Sequence, residues 1–120
     1  MSLTTTDTPF GYLSLNSETY KNSDNTSIGY KSLYNNTANS GETLGCFNTS
    51  IGSNSLISNT TGFNNISIGY NSGNNITTGN NNILIGSSTT TASSSDSNEI
   101  LISTTTQKGN GNNTITISTG

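Results

Sequence analysis

The 120-residue chain has no histidine, arginine or tryptophan, a single cysteine and a single proline, and only three lysines against six carboxylates. Without histidine or arginine, and with one thiol, the usual nucleophile–base and general acid–base constellations cannot be assembled. The chain is therefore read as a non-enzyme, with no catalytic, cofactor-binding or metal-ligating residue. So few cations exclude the clustered Lys/Arg surface that nucleic acid or an anionic membrane requires. One cysteine excludes an intrachain disulfide framework. No stretch approaches the ~20 apolar residues of a membrane-spanning helix, so no membrane insertion is expected. Met1 to Leu15 carry neither the basic nor the apolar segment of a secretory signal, which implies assembly without crossing a membrane, or a fragment.

What is present is polar and repetitive. Asn, Ser and Thr make up about half of the chain, and 20 Ile/Leu with three Phe supply most of its apolar bulk. That apolar share sits at the edge of the disordered range, yet net charge is only −3 and proline is nearly absent, both unlike a disordered chain. Asn48-Thr49-Ser50-Ile51-Gly52 recurs as Asn65-Ile66-Ser67-Ile68-Gly69 and as Asn82-Ile83-Leu84-Ile85-Gly86, which spaces Ile51, Ile68 and Ile85 by seventeen residues. Seventeen more lead to Ile102 in Ile100-Leu101-Ile102, and fifteen more to Ile117 in Ile115-Thr116-Ile117. Ile28 opens the series 23 residues before Ile51, and the six extra residues are placed in an irregular stretch near 39–47. Leu13-Ser14-Leu15 reads as a degenerate first strand. The spacing holds from Ile85 to Ile102 even across the Ser/Thr run 87–97, the part of the chain most like a disordered linker.

A fixed period of this kind marks stacked units. Within each unit, alternation of period 2 puts both isoleucines of I-x-I on one face, and β-branched side chains favour the pleated conformation. Gly29, Gly52, Gly69 and Gly86 follow the strands, and Gly62 and Gly79 close the N-T-T-G and I-T-T-G segments. All six are read as corners that need positive φ. No helical periodicity is visible. The expected fold is all-β: a parallel β-roll or β-solenoid of about six coils with a 17-residue period, two strands and two corners per coil. Residues 1–24 form an N-terminal cap and degenerate first coil, 25–118 the repeat domain, and 119–120 the C-terminal end. The expected core is two isoleucine columns, Ile28, Ile51, Ile68, Ile85, Ile102, Ile117 and Ile66, Ile83, Ile100, Ile115, stacked at ~4.8 Å.

Several further residues carry alternative readings. Tyr30 and Tyr70 occupy the same place after a corner glycine, either as corner packing or as a ligand ridge on which sugars stack. Cys46 reads as a small buried apolar residue, with an interchain disulfide or reactive thiol as the alternative. Two carboxylate pairs, Asp96/Glu99 and Glu18/Asp24, read as solvated surface rather than a glycosidase cleft. The turns carry Asn where calcium-binding solenoid repeats carry Asp. Seven N-x-S/T sequons, at Asn25, Asn35, Asn48, Asn59, Asn65, Asn75 and Asn112, are what chance gives in a chain of this composition.

The series N-T-S-I-G-Y-K-S-L, N-T-S-I-G-S-N-S-L and N-I-S-I-G-Y-N-S-G, over residues 25–118, resembles the head repeats of trimeric autotransporter adhesins. It is still more similar to the N-T-x-I-G and N-T-T-G repeats of tail fibres and spike-like proteins of phages and giant viruses. The resemblance implies a left-handed roll, three chains packed side by side, and one apolar strand face turned to the trimer axis. Trimerisation fits a solenoid too narrow to bury much by itself. The period is longer than in adhesin heads, S-V-A-I-G wording is missing, and no coiled-coil stalk, membrane anchor or chaperone segment is visible in these residues. Asn-rich wording is of the kind an AT-rich genome produces, such as that of a large DNA virus. The function implied is a structural virion-surface fibre or spike component that binds itself as a homotrimer, other virion or surface proteins, and host glycans. The alternatives are a bacterial trimeric adhesin head fragment and a self-assembling extracellular filament, located outside the cell or at its surface.

Overall fold

In the computed structural model, residues 7–17, 23–37 and 43–119 are described. Seven short strands stand in chain order in one parallel sheet: β1 Thr8–Phe10, β2 Thr26–Ile28, β3 Thr49–Ile51, β4 Ile66–Ile68, β5 Ile83–Ile85, β6 Ile100–Ser103 and β7 Ile115–Ser118. Each strand pairs only with its predecessor and successor, as a solenoid of about six turns requires. Register follows the repeat: Thr26 lies beside Thr49, Thr49 beside Ile66, Ile66 beside Ile83, Ile83 beside Ile100 and Ile100 beside Ile115. The whole measures 42 × 27 × 16 Å.

Among the described residues each coil has one strand, not two. The second expected strand, through N-T-T-G, is a stacked loop in which backbone N–H groups converge on one carbonyl of the next coil: Thr37 on Thr60, then Thr60, Thr61 and Gly62 on Thr77, then Thr77, Thr78 and Gly79 on Ser94. Leu13-Ser14-Leu15 is likewise no strand. β1 lies ahead of it, and Leu15 sits at a corner, donating its N–H to Ser32. The longer coil runs from β2 to β3. Thr37 aligns with Thr60, and Gly45 and Gly62 both accept from ladder asparagines. Eight residues thus separate Thr37 from Gly45 where two separate Thr60 from Gly62. Residues 38–42 of that insertion lie outside those described.

The core is the main correction. The isoleucine columns are real as columns, but they face outward. Ile28, Ile66, Ile68 and Ile102 are 36–37% exposed, Ile115 and Ile117 72%, and Ile51, Ile83, Ile85 and Ile100 half-buried. The residue between them points inward: Ser27, Ser50, Ser67, Leu84 and Leu101 are wholly buried. Alternation says that two isoleucines share a face; it does not say which one. The interior is narrow, and it takes one large aliphatic side chain per coil: Leu15, Leu33, Leu56, Ile76, Leu84 and Leu101 form its single apolar cluster.

Those six come from three different positions. In the first three coils the strand centre is Pro9, Ser27 or Ser50, and the corner leucine fills the core. In the next, Gly73 stands at the leucine position, and Ile76 replaces the asparagine of Asn36 and Asn59. A Cβ on Gly73 would meet Leu56 Cδ2 and Ser67 Oγ, each at 2.9 Å, and Ile76 Cδ1 at 3.5 Å. In the last two coils the strand centre itself becomes leucine.

Polar columns line the rest. Asn25, Asn48, Asn65 and Asn82 are wholly buried, and each accepts, through Oδ1, the backbone N–H of its successor at 2.8–3.0 Å, the last donor being Glu99. Their Nδ2 groups donate to the carbonyls of Gly45, Gly62, Gly79 and Asp96 at 2.8–2.9 Å. Ladders of this kind satisfy backbone groups that the short strands leave over.

Gly29, Gly52, Gly69 and Gly86 have φ of +132° to +136°. At Gly52 an added Cβ would also fall 2.6 Å from the carbonyl carbon of Gly69 in the next coil, so both conformation and contact demand glycine. Gly62 and Gly79 do not have positive φ, contrary to expectation. They are glycine because a Cβ there would strike Gly79 O and Asp96 O respectively.

Candidate interaction surface

The outward sheet face carries two columns, in register along all seven strands. One runs Phe10, Ile28, Ile51, Ile68, Ile85, Ile102, Ile117; the other runs Thr8, Thr26, Thr49, Ile66, Ile83, Ile100, Ile115. No charged side chain interrupts either column. At ~4.8 Å per strand the strip is roughly 29 Å long. Each inner isoleucine is covered above and below by its column neighbours and keeps its outer edge in solvent. A continuous apolar strip of this length is unusual on a surface that stays in water.

A second feature borders this face. Backbone bonds from Lys31, Asn54, Asn71 and Ser88 N–H to the carbonyls of Tyr12, Tyr30, Ser53 and Tyr70 place those four in one corner column. Tyr12 and Tyr30 are stacked, with ring centroids 6.1 Å apart and planes 8° from parallel. Lys31 Nζ lies 5.3 Å from the Tyr30 ring centroid and 5.4 Å from that of Tyr34. Tyr30 and Tyr70 are exposed. Sequence reading named these two; it missed Tyr12, because β1 resembles the repeat too little to extend the column.

The carboxylates are placed by the ladder. Asp7 opens the asparagine column, accepting the Asn25 N–H at 2.7 Å and the Ser23 hydroxyl at 3.0 Å. Glu99 closes it, wholly buried. It has no amide to donate and accepts instead from Gly111 N–H at 3.1 Å, Ala92 N–H at 3.4 Å and the Thr114 hydroxyl at 3.4 Å. Gly109 packs so close to this carboxylate that a Cβ there would collide with it. The last coil, two residues shorter than the 17-residue coils before it, is thus folded around an acid rather than an amide. Glu99 is therefore not the solvated surface group expected from sequence. Asp96 is also buried, with Oδ2 unpartnered, while Asp24 is exposed and Glu18 lies outside the described residues.

Among the described residues, no group of three His, Cys, Asp or Glu is arranged to hold a metal ion, and no helix is long and apolar enough to cross a membrane. Cys46 is buried, its thiol donating to the Leu44 carbonyl at 3.3 Å. Of the seven sequon asparagines, Asn25, Asn48, Asn59 and Asn65 are wholly buried, which leaves no room for a glycan on them in the folded chain. Comparison with known protein families, curated proteins and solved structures returns no match.

Proposed function

We propose that the chain is a structural element of a surface fibre or spike, in which three copies pack along their isoleucine faces into a left-handed homotrimeric roll on a virion. The observation that carries this reading is the outward strip of ten isoleucines and Phe10 on a rigid parallel sheet. A second copy is the occupant that fits it best. Its side-chain rows repeat at the same ~4.8 Å rise, so rows of one face seat between rows of the other along the full length. The strip is also free of charge, so like faces do not repel. Burying half-exposed isoleucines supplies the apolar burial that a one-leucine-per-coil interior lacks. Left-handedness, the number three and the virion setting rest on the resemblance of the repeat wording.

Native mass spectrometry with light scattering tests the reading. The wild-type chain is expected at three times its monomer mass. Ile68→Lys with Ile85→Glu puts two opposite charges side by side on the outward face, where they satisfy each other in the monomer but resist desolvation between copies. The double variant should retain its circular dichroism and run as a monomer. A wild-type monomer at high concentration, or a double variant of unchanged mass, would overturn the proposal.

A further inference from the structure

The two ends of the sheet offer unlike edges. Along a parallel strand, alternate residues bond to opposite neighbours. At β1, Thr8 donates its N–H to Asn25 and the Phe10 carbonyl accepts from Gly29, so both face β2. Pro9 between them faces the other way, where it has no N–H to offer. At β7, Ile100 donates to the Thr114 carbonyl and Thr104 to that of Ser118, so the even-numbered residues face β6. The N–H and C=O groups of Ile115 and Ile117 point away from β6, and among the described residues no strand meets them. Their side chains are 72% exposed, against 36–37% for Ile66, Ile68 and Ile102. No proline or charge blunts this edge. The last coil also withholds what a further coil of the same kind would stack on. Thr116, half-buried, stands in register with the core residue Leu101, and the buried amide column stops at Glu99.

We propose that β7 pairs antiparallel with β7 of a second copy, joining two solenoids tail to tail about a two-fold axis through Thr116. Satisfaction of the backbone fixes the register. With Thr116 opposite its own counterpart, Ile115 of each copy exchanges both backbone bonds with Ile117 of the other, and every outward donor and acceptor of the edge is used. A register centred on Ile115 or on Ile117 sets the other isoleucine against Asn113 or Thr119, outside the strand. Stacking β1 of another copy on β7, head to tail, is worse matched. The Ile115 carbonyl would then face Pro9, which has no N–H, and Asp7 would bring a second acid into the column that Glu99 ends. A two-fold axis perpendicular to the sheet keeps both outward faces on one side, so the isoleucine strip runs on across the junction. Residues 109–119 carry no charge, so the two edges meet without repulsion. Strands of four residues bury far less than a stable interface needs, so between single chains the contact is transient and leaves the mass of the free chain unaltered. It strengthens where several such edges meet at once. The contact uses the strand edge alone and does not rest on packing through the outward face.

The test traps the contact by disulfide formation with diamide as oxidant, in the full chain carrying Cys46→Ser so that no other thiol is present. Residues directly opposite in a non-hydrogen-bonded antiparallel pair have Cα atoms about 4.5 Å apart, within the roughly 4.4–6.8 Å that a disulfide spans. Thr116→Cys should therefore give a linked pair at twice the chain mass, the two thiols passing their hydrogens to diamide. Ile117→Cys should not, because its counterpart lies on the diagonal, about 7–8 Å away. Ile117→Pro is the decisive variant. It removes an N–H that faces away from β6, as Pro9 does at the other end, and leaves the bonds to β6 in place. Added to Thr116→Cys, it should keep the circular dichroism and abolish the linked pair. Adding Ile68→Lys and Ile85→Glu instead should leave the linked pair in place, so a failure of outward-face packing and a failure of this edge give different results. No linked pair from Thr116→Cys with or without those two changes, an equal yield from Ile117→Cys, or a yield that survives Ile117→Pro would overturn the proposal.

Discussion

At the residue scale, the interior is unusual in being mostly hydroxyls and amides, so each buried serine matters through its partners rather than its size. Ser50 and Ser67 occupy the same place in successive strands and are both wholly buried. Ser50 Oγ donates to the Ser55 carbonyl at 2.9 Å and accepts from Ser32 Oγ at 2.7 Å. Ser67 Oγ has no partner. A buried hydroxyl without a hydrogen bond costs about 1–3 kcal/mol, whereas a satisfied one contributes about 1 kcal/mol net. Ser67→Ala should therefore leave stability unchanged or raise it by about 1 kcal/mol, while Ser50→Ala should lower it by about 1–1.5 kcal/mol. Denaturant unfolding at one protein concentration separates the two; equal losses would contradict the assignment. The unpartnered Oδ1 of Asn59 has a similar origin, since the next coil offers Ile76 where Asn36 and Asn59 have an amide.

At the scale of strand and corner, two glycines look alike in sequence and differ in what they tolerate. Gly52 has φ +136°, and its Cβ position lies against backbone of the next coil, which cannot give way. Gly73 has φ +62°, and its nearest neighbours there are the side-chain ends Leu56 Cδ2 and Ser67 Oγ. The chain already places leucine in that conformation at Leu33 and Leu56, with φ of 49° and 48°. Gly73→Ala should cost about 1–2 kcal/mol, the usual penalty of a left-handed L-residue. Gly52→Ala should yield no cooperative unfolding transition at all in a thermal melt followed by circular dichroism. The strands β2 to β7 and their register were legible because backbone pairing repeats with the sequence: Ile51, Ile68 and Ile85 do stand in one column. The direction those columns face was not legible, because I-x-I is symmetric between inside and outside until the width of the coil is known. Nor was the core, since its six aliphatic residues shift from corner to loop to strand centre and so have no 17-residue period. In the surface site, Tyr30 and Tyr70 could be read from their shared place after glycine. Tyr12 needed the stacking to be seen.

At the scale of the whole molecule, every strand meets only its two neighbours, so stability is approximately a sum of coil and coil–coil terms. Length is then adjustable in steps of one coil and in no other unit. Deleting residues 66–82 joins Asn65 to Ile83 and removes seventeen residues. The strand Thr49–Ile51 then meets Ile83–Ile85 as it formerly met Ile66–Ile68, the buried asparagine column closes up from Asn48 through Asn65 to Glu99, and Gly52 stacks on Gly86. Leu56 loses Ile76 and gains the neighbourhood of Leu84, so the apolar interior stays continuous. Such a variant should fold, unfold cooperatively at a lower temperature, and be shorter along the stacking axis by about 4.8 Å in small-angle scattering. Removing thirteen residues from the same region, 66–78, leaves Asn65 joined to Gly79. That shifts every later column out of line, so that glycine corners meet side chains and the isoleucine strip breaks at its middle. That variant should give the circular dichroism of an unfolded chain. The pair of deletions separates a stack of interchangeable coils from a body whose parts depend on one another at a distance, because only in the former does the larger deletion do less harm than the smaller.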